Sequence, residues 1–201
     1  LRCDCVVHAA ACLDKDLAAH GVSITNCLGT QEIVRVASAW RGCHLVYISS
    51  VPVIGRPRQL PITEEHPVEP LTAYHASKIY GEHLVRIAGD GGPSSATLRL
   101  SAPVGPGMPE GRFLSRLIRH AMIGSPVCVF GKGTRQQDYV DVRDVAAAVE
   151  KCIHLNAQGV FNVASGRSIS NLDLARMCVE VLQSDSTIVF SGESDPEEGV
   201  I

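Results

Sequence analysis

The sequence predicts an α/β fold in which helices cover both faces of a parallel sheet, joined to a smaller second domain. Three short apolar runs indicate buried strands, because a strand that is covered on both faces is continuously apolar. Helical patterns lie between these runs, and strands that alternate with helices pair in parallel through crossover connections. A doubly wound sheet follows from this alternation. The predicted strands are residues 4–10, 44–50 and 96–102.

Two predicted helices connect these strands. The first extends from about Thr25 to Arg41, where apolar residues recur at helical spacing. The second extends from about Thr72 to Ile87. Between the second strand and this helix, residues 51–71 hold five of the chain's eleven prolines. We therefore expect a long loop there, since proline interrupts both helices and sheet ladders.

The pattern changes after Pro103, where shorter elements are separated by turns rich in glycine and proline. A helix is expected to begin at Ser170, because Asp173 three residues later forms a capping-box-like pair with it. The other elements predicted in this half are a helix at 113–123, a strand and turn at 126–133, a strand leading into a helix at 136–155, and a strand at 159–166.

These elements group into two domains. The first predicted domain is residues 1–103, joined by about 142–163, and the second is residues 104–141 with 164–201. The chain begins at Leu1 without an initiator methionine, and a strand pattern starts almost at once. It stops at residues 196–201 without a helix-ending or tail signal. We therefore expect this chain to be an internal segment of a longer protein.

Composition excludes several classes of function. The chain has 201 residues, 45% of them hydrophobic, which suits a folded core. A net charge of −3 gives no electrostatic case for binding nucleic acid or an anionic membrane. No apolar run approaches the roughly 20 residues that span a bilayer. The eight cysteines form no C-x-x-C pair, which favours reduced thiols in a cytoplasmic protein over disulfides or a metal site.

Tyr74 and Lys78 lie four positions apart in the second predicted helix, which stacks their side chains on one face. An ammonium beside a phenol favours the phenolate and lowers the tyrosine pKa from about 10 toward neutral pH. A tyrosine tuned in this way can exchange a proton with a substrate hydroxyl or carbonyl. The same spacing also arises by chance on solvated helix faces, so it does not establish a site by itself.

Ser50 adds to this pair, because it ends the second predicted strand. Ligands of parallel sheets bind beyond the carboxyl ends of the strands. A strand-end serine, a loop and a Y-x-x-x-K helix in that order are a more demanding coincidence than any one of them. A turn or capping role for the Ser50 hydroxyl stays open. By the same rule, residues 9–11, 49–50 and 101–104 should face one crevice.

Seven segments match one family pattern, in order, along nearly the whole chain. They are DCVVHAAA at 4–11, NCLGT at 26–30, YISSVPVIG at 47–55, YHASKIYGE at 74–82, LRLSAPVGPG at 98–107, QQDYVDVRDVAAA at 136–148 and GVFNVASG at 159–166. Together they resemble the extended short-chain dehydrogenase/reductases of the NAD-dependent epimerase/dehydratase group, whose best-known member is UDP-galactose 4-epimerase. The resemblance implies a Rossmann-like domain, whose N-terminal part precedes this chain, and a smaller substrate-binding lid.

The resemblance also implies a role for each matching residue. Tyr74 is expected to be the catalytic acid/base, Lys78 to lower its pKa and hold the nicotinamide ribose, and Ser50 to hydrogen-bond the reacting oxygen. No metal is expected. The implied cofactor-binding residues are Ala9, Ala10, Ala11, Asn26, Ser49, Tyr74, Lys78, Pro103 and Val104, and the implied substrate-binding residues are Ser50, Val51 and Arg135.

Some of these residues have other interpretations. Asn26 could instead cap the start of a helix, a position that asparagine favours. His8 is expected to be a core histidine rather than a catalyst. The resemblance implies a homodimer formed through the first two helices, and Ile79, Leu84 and Val85 fit such an interface. Burial against the protein's own sheet explains those three residues equally well.

The chain departs from the family pattern at several positions. The glycine-rich turn that holds the pyrophosphate is not in this sequence, nor is the acidic residue that binds the ribose. The cofactor is therefore expected to be NAD or NADP, with NAD favoured by the resemblance. Ala102 replaces the usual asparagine, and Gln137 replaces an arginine that contacts the diphosphate. Arg135, two residues earlier, could substitute for it or be an exposed loop residue.

The expected function is an NAD(P)-dependent epimerase, or related oxidoreductase, that acts on a sugar-nucleotide-like alcohol or ketone. Val51 and Pro52 stand where dehydratases of the family carry an Asp–Glu pair, which argues against 4,6-dehydration. Two alternatives remain open: a reductase of a non-sugar carbonyl, and an inactive nucleotide-binding protein of the same fold. The intact set of Ser50, Tyr74 and Lys78 argues against the inactive protein.

Overall fold

The computed structural model describes residues 3–13, 20–193 and 195. The first two residues and the last six, from which the sequence predicts a longer protein, lie outside the described part. The chain divides into two compact units, Leu1–Ser101 with Val142–Val163, and Ala102–Asp141 with Ala164–Ile201. The assignment of these units as cofactor and substrate domains stays a prediction.

The first unit is built on a four-stranded parallel sheet, which confirms the predicted fold class. Its strands lie in the order β1–β2–β3–β7. The register pairs Tyr47 with both His8 and Thr97, and Ser50 with Leu100. Because all four strands are parallel, their carboxyl ends share one edge of the sheet. The strands are β1 (Cys5–His8), β2 (His44–Ser50), β3 (Ser94–Leu100) and β7 (Gly159–Val163).

Helices cover both faces of this sheet, as a doubly wound fold requires. Helices α1 (Gly29–Ser38) and α2 (Ala73–Gly89) lie on one face, where Val34 and Val85 pack with Leu45 and Tyr47 of β2. Helix α4 (Val142–His154) lies on the other, where it packs against Val46. Alternate residues of β2 therefore serve two different cores, which explains why the strand is a continuous apolar run.

The first predicted helix differs from expectation at its start. The chain forms a π-helix at Val22–Leu28 before α1 begins at Gly29. The N–H of Gly29 donates to the carbonyl of Ile24, five residues earlier, as the wider π turn requires. Within it, the Asn26 side chain bonds the backbone N–H and C=O of Cys12. That contact spans 14 residues, so local helical spacing did not reveal it.

The loop of residues 51–71 was predicted correctly as a long connection, and its backbone is well anchored. It opens with a 3-10 turn at Val51–Ile54 and is otherwise without helix or strand. Glu69 N–H donates to the Val53 carbonyl at 3.1 Å, which closes the loop on that turn. The Glu64 carboxylate accepts from the backbone N–H of Asn162 in β7 at 2.8 Å. These bonds hold the loop against its own 3-10 turn and against β7, the outermost strand of the sheet.

In its described residues, the second unit contains two small sheets and two helices around a separate core. Leu117, Val129 and Leu174 lie at the centre of this core. Three of its strands, β4 (Ala102–Val104), β8 (Ser168–Ser170) and β9 (Ile188–Phe190), have three residues each and were not predicted. Its elements are β4 (Ala102–Val104), α3 (Phe113–Met122), β5 (Val127–Val129), β6 (Gln136–Asp141), β8 (Ser168–Ser170), α5 (Asn171–Val181) and β9 (Ile188–Phe190).

Gly81 provides a test of how closely α2 packs on the sheet. An added Cβ would overlap the hydroxyl oxygen and Cζ of Tyr47, which is fully buried. We expect Gly81→Ala to reduce the free energy of unfolding by about 1–3 kcal/mol, because the overlap forces the helix or the ring to move. Urea unfolding followed by circular dichroism measures the change.

The matched control for Gly81→Ala is Gly29→Ala, another glycine-to-alanine change in a helix. Its added Cβ would meet only the Ile24 carbonyl oxygen, at an ordinary 3.6 Å. Alanine favours the helix over glycine by about 1 kcal/mol, so this variant should be unchanged or more stable. Equal stability of the two variants would contradict close packing at Gly81.

Candidate active site

Helix α2 carries Tyr74, Lys78 and Glu82 at intervals of four residues, which places them on one face. The helix begins after Thr72, whose hydroxyl accepts a hydrogen bond from the His75 N–H. Glu82 contacts Arg99 near the end of β3, whereas the Val85 carbonyl three residues later contacts Ser95 near its start. The helix therefore runs antiparallel to the strands, and Tyr74 in its first turn lies at the carboxyl edge of the sheet.

Lys78 is buried at this edge, with 2% of its surface exposed. Its Nζ donates to the Ile48 carbonyl at 2.9 Å and lies 4.9 Å from the centre of the Tyr47 ring. It also lies 5.9 Å from the centre of the Tyr74 ring. Burial lowers the pKa of Lys78 to about 8, and the negative charge of Glu82 acts in the opposite direction. The ammonium is thus within electrostatic reach of the Tyr74 ring.

Glu82 forms a buried ion pair with Arg99. The closest distance is 2.7 Å between Arg99 Nη2 and Glu82 Oε2, and the two side chains are only 7% and 9% exposed. Arg99 Nε donates to both carboxylate oxygens as well, at 3.0 and 3.3 Å. The Ser49 hydroxyl donates a short hydrogen bond to Oε1 of the same carboxylate. Several donors therefore compensate the carboxylate for its removal from water.

The two adjacent serines of β2 are placed differently. Ser49 is buried, and its hydroxyl is directed to Glu82 on the α2 side of the sheet. Ser50 is half-buried and is the last residue of β2, immediately before the 3-10 turn. The residues before it are tied to α2 through the Ile48 carbonyl and the Ser49 hydroxyl. The strand end that carries Ser50 is therefore fixed to the helix that carries Tyr74. The catalytic role of Ser50 stays a prediction.

The predicted cofactor residues of the first unit lie at the same edge. Ala9, Ala10 and Ala11 follow β1, and the first two are exposed. Asn26 is only 1% exposed, and its Nδ2 donates to the Cys12 carbonyl and to the Ser77 hydroxyl, both at 2.9 Å. It joins the loop after β1 to helix α2. The helix-capping interpretation of Asn26 is wrong, because the residue lies inside the π-helix rather than before it.

His8 has a structural environment, as the core interpretation expects. The side chain is buried, and its Nε2 lies 2.8 Å from the Thr30 hydroxyl oxygen. Burial lowers the pKa of His8, and the nearby charge of Lys78 lowers it further. The imidazole is therefore neutral near pH 7, and it packs 5.5 Å from the Tyr47 ring.

Two of the predicted site residues in the second unit lie in strand β4. Pro103 is exposed and pairs with Val140, and Val104 is half-buried and pairs with Asp141. A border with the nicotinamide stays a prediction for both. In the first unit, Val51, a predicted substrate contact, is 5% exposed at the start of the 3-10 turn. Its role also stays a prediction.

Arg135 is half-buried, just before β6, rather than an exposed loop residue. Its Nη2 donates to Oε1 of Gln137 at 3.1 Å. The two side chains lie two positions apart and on the same side, as expected for extended backbone. Arg135 thus places a cation beside the position where family members usually carry an arginine. Whether it binds a substrate stays a prediction.

Sequence reasoning gave no role to Ser77 or Arg99, although both organise the site. The Ser77 hydroxyl donates to the Tyr74 carbonyl at 2.7 Å and accepts from Asn26. Arg99 holds the carboxylate of Glu82. A charged residue inside an otherwise apolar strand was the available signal, because a buried arginine needs an anionic partner. The described residues contain no cluster of metal-ligating side chains and no helix long and apolar enough to cross a membrane.

Comparison with known proteins identifies the family. The model of the NAD dependent epimerase/dehydratase family matches residues 1–164. This chain belongs to that family. Among its epimerase/dehydratase relatives, the putative UDP-glucose 4-epimerase of Methanocaldococcus jannaschii is 29% identical over an alignment of 188 residues that covers 88% of this chain and 58% of the relative. The UDP-glucose 4-epimerase of Azospirillum brasilense is 31% identical over an alignment of 177 residues that covers 77% of this chain and 51% of the relative.

A solved structure has the same fold. It is described as MoeE5 in complex with UDP-glucose and NAD, and it superposes with a TM-score of 0.84 at 27% identity. The match covers 95% of this chain and 66% of that one. The chain thus spans only a little over half the length of the curated relatives it matches.

The buried ion pair predicts a large loss of stability for Glu82→Gln. The substitution leaves the Arg99 charge buried without its anion, which typically costs about 3–5 kcal/mol. Thermal and urea unfolding measure the loss. Glu32→Gln is the matched control, because it removes a carboxylate from the exposed ion pair with Arg35 on α1. We expect no measurable change for the control, and a similarly small change for Glu82→Gln would contradict the structural importance of the pair.

Proposed function

We propose that this chain carries the catalytic residues of an NAD(P)-dependent sugar-nucleotide epimerase, or of a closely related oxidoreductase. The observation that carries the proposal is the buried Lys78, held by the Ile48 carbonyl at the strand end and one helical turn from Tyr74. Removing an ammonium group from water costs free energy unless polar groups compensate it. A buried lysine therefore indicates either a functional use of its charge or a compensating partner. Membership of the epimerase/dehydratase family supports an enzyme of this kind, and the UDP-glucose 4-epimerases among its relatives support the substrate class.

The proposed mechanism assigns proton transfer to Tyr74. Its phenolate accepts the proton of a substrate hydroxyl group, becomes the neutral phenol, and later returns that proton to the carbonyl oxygen. The positive charge of Lys78 stabilises the phenolate before the first transfer and after the second. Ser50, at the tip of β2, hydrogen-bonds the same oxygen of the substrate. A bound nicotinamide would supply the chemistry of hydride acceptance and return.

The edge of the sheet suits a nicotinamide cofactor. Ala9 and Ala10 are small and exposed after β1, so that a ligand can approach the backbone closely. Lys78 and the end of β2 lie at the same edge. NAD is favoured over NADP, because the family is NAD dependent and the related MoeE5 structure contains NAD. Asn26 supports this region through the loop after β1.

A reductase of a non-sugar carbonyl is the second candidate. The observation that favours it is that Gln137 replaces the family's usual arginine at the proposed diphosphate contact. Gln137 is buried and hydrogen-bonded to Arg135. In the sugar-nucleotide proposal, Arg135 replaces the usual arginine and binds the diphosphate. In the reductase, that cation has no diphosphate to bind. An inactive nucleotide-binding protein is less well supported, since it would have no use for a buried lysine beside Tyr74.

We keep the homodimer and the cytoplasmic location as proposals. Two of the apolar residues expected at the dimer interface are used within the protomer: Val85 is in the core, and Leu84 packs against it. Other apolar side chains are exposed on the π-helix and α2, and equilibrium sedimentation of the purified protein tests whether they pair. They are Ile24, Leu28 and Ile87, with exposures of 59%, 57% and 60%.

Tyr74→Phe tests the proposed proton transfer. Removing one hydroxyl eliminates the acid/base, so we expect turnover to fall by at least about 100-fold. Cofactor affinity should change little, because the ring remains. Steady-state kinetics and a cofactor titration measure the two effects. Tyr80→Phe is the control, since Tyr80 lies on the same helix and is 40% exposed. Wild-type turnover in Tyr74→Phe would exclude this mechanism.

The fate of the hydride distinguishes the two candidates. An epimerase returns the hydride to its substrate, so we expect UDP-glucose to be converted to its 4-epimer without net change in NADH absorbance at 340 nm. A reductase consumes one reduced cofactor for each carbonyl. Proton NMR of the sugar and absorbance in the same sample measure both quantities. Stoichiometric NADH oxidation after addition of a simple carbonyl compound, without epimerisation of UDP-glucose, would replace the first proposal with the second.

A further inference from the structure

Glu82 is close to Lys78 but takes no direct part in the proposed proton transfer. Glu82 lies one helical turn after Lys78 on the same face of α2, and both side chains are buried. Its carboxylate accepts from the Ser49 hydroxyl. The carbonyl that binds Lys78 belongs to the peptide between Ile48 and Ser49. Glu82 therefore holds the residue whose backbone orients the acceptor of Lys78.

We infer that Glu82 is a positioning residue: it fixes the Ile48–Ser49 peptide that anchors Lys78, and its negative charge keeps the Lys78 ammonium protonated beside Tyr74. This inference rests on the proposed role of Lys78. Arg99 holds the carboxylate in place through three contacts of 2.7–3.3 Å. Neither Glu82 nor Arg99 contacts the reacting atoms in this proposal.

Apart from the Tyr74 phenolate of the proposed mechanism, the charged and titratable groups around Lys78 leave Glu82 as the source of negative charge. His8 of β1 and Tyr47 of β2 both lie close, and burial favours the neutral form of each, since it lowers the pKa of His8 and raises that of Tyr47. Tyr74 is one turn away on α2, and Arg99 of β3 is cationic. The groups that face Lys78, directly or through Glu82, are His8, Tyr47, Tyr74, Glu82 and Arg99.

The direction of the pH dependence follows from these groups. Lys78 has a pKa of about 8, so its charged form is present below pH 8 and is lost as the pH rises through that value. Glu82 raises the Lys78 pKa against the effect of burial, so its removal shifts the loss of charge to lower pH. If charged Lys78 supports Tyr74, the alkaline limb of kcat/KM moves in the same direction.

Lysine NMR measures this ionisation without any need for activity. The chain has four lysines, at positions 15, 78, 132 and 151, so the signals of ¹³Cε-labelled lysine are few. Lys78→Met assigns the Lys78 signal, and a pH titration of that signal gives its midpoint. The test uses a double variant, Glu82→Gln combined with Arg99→Met, because removing both partners avoids an unpaired buried arginine. We expect its Lys78 midpoint to fall by about one pH unit relative to wild type.

Two further variants separate the charge of Glu82 from its packing. Glu82→Asp retains a carboxylate, so the Lys78 midpoint should remain closer to wild type than in the double variant. Glu32→Gln removes an exposed carboxylate from α1, and its midpoint should match wild type. An unchanged or higher midpoint in the double variant would overturn the inference, as would an equal fall in Glu82→Asp.

The kinetic measurement separates this inference from the proposed function. In the double variant, the alkaline limb of kcat/KM for UDP-glucose should move to lower pH together with the NMR midpoint. If wild type turns over neither UDP-glucose nor a simple carbonyl, the proposed function fails, and an NMR shift would still establish that Glu82 controls Lys78. If wild type is active and its Lys78 midpoint does not respond to Glu82, the proposed function stands and the inference fails.

Discussion

The burial of one ammonium group constrains the whole first unit. Lys78 is removed from water between α2 and the sheet, which costs several kcal/mol unless polar partners replace the solvent. Its partners are the Ile48 carbonyl, the face of the Tyr47 ring at 4.9 Å and the charge of Glu82. All of them are fixed in position along β2 or α2. The helix can therefore satisfy Lys78 in only one register on the sheet, and that register sets where its first turn, with Tyr74, meets the edge.

The packing around α2 fits the same register. Gly81 lies where the buried Tyr47 side chain leaves no room for a Cβ, and Glu82 in the next position reaches both Ser49 and Arg99. A shift of one helical turn would remove the glycine from the ring and leave the arginine without its anion. Hydrophobic packing alone tolerates such shifts better, because apolar contacts are not directional. The polar contacts therefore give the site its geometry, while the apolar core gives it most of its stability.

The sequence predicted those parts of the structure that depend on local pattern. The strand at 44–50 was predicted with its observed ends, and α2 was predicted to within two residues, because the residue patterns that indicate them are local. The π-helix was missed because its Asn26 contact is made with a loop 14 residues away. Three three-residue strands were missed: β4 and β8, which pair with β6, and β9, which pairs with β5. They are defined by this pairing rather than by their own composition. The site residues that were missed, Ser77 and Arg99, also act through distant partners.

The two serines at the end of β2 show why a motif alone could not assign the site. In the sequence, Ser49 and Ser50 are adjacent and chemically identical, and both were expected to face the crevice. Side chains alternate along a strand, so the two hydroxyls cannot share one environment. The Ser49 hydroxyl donates to Glu82, and the adjacent Ile48 carbonyl binds Lys78. Ser49 thereby fixes the strand end to α2, and Ser50, one residue further on at the tip, is the hydroxyl that the proposed mechanism assigns to the substrate oxygen.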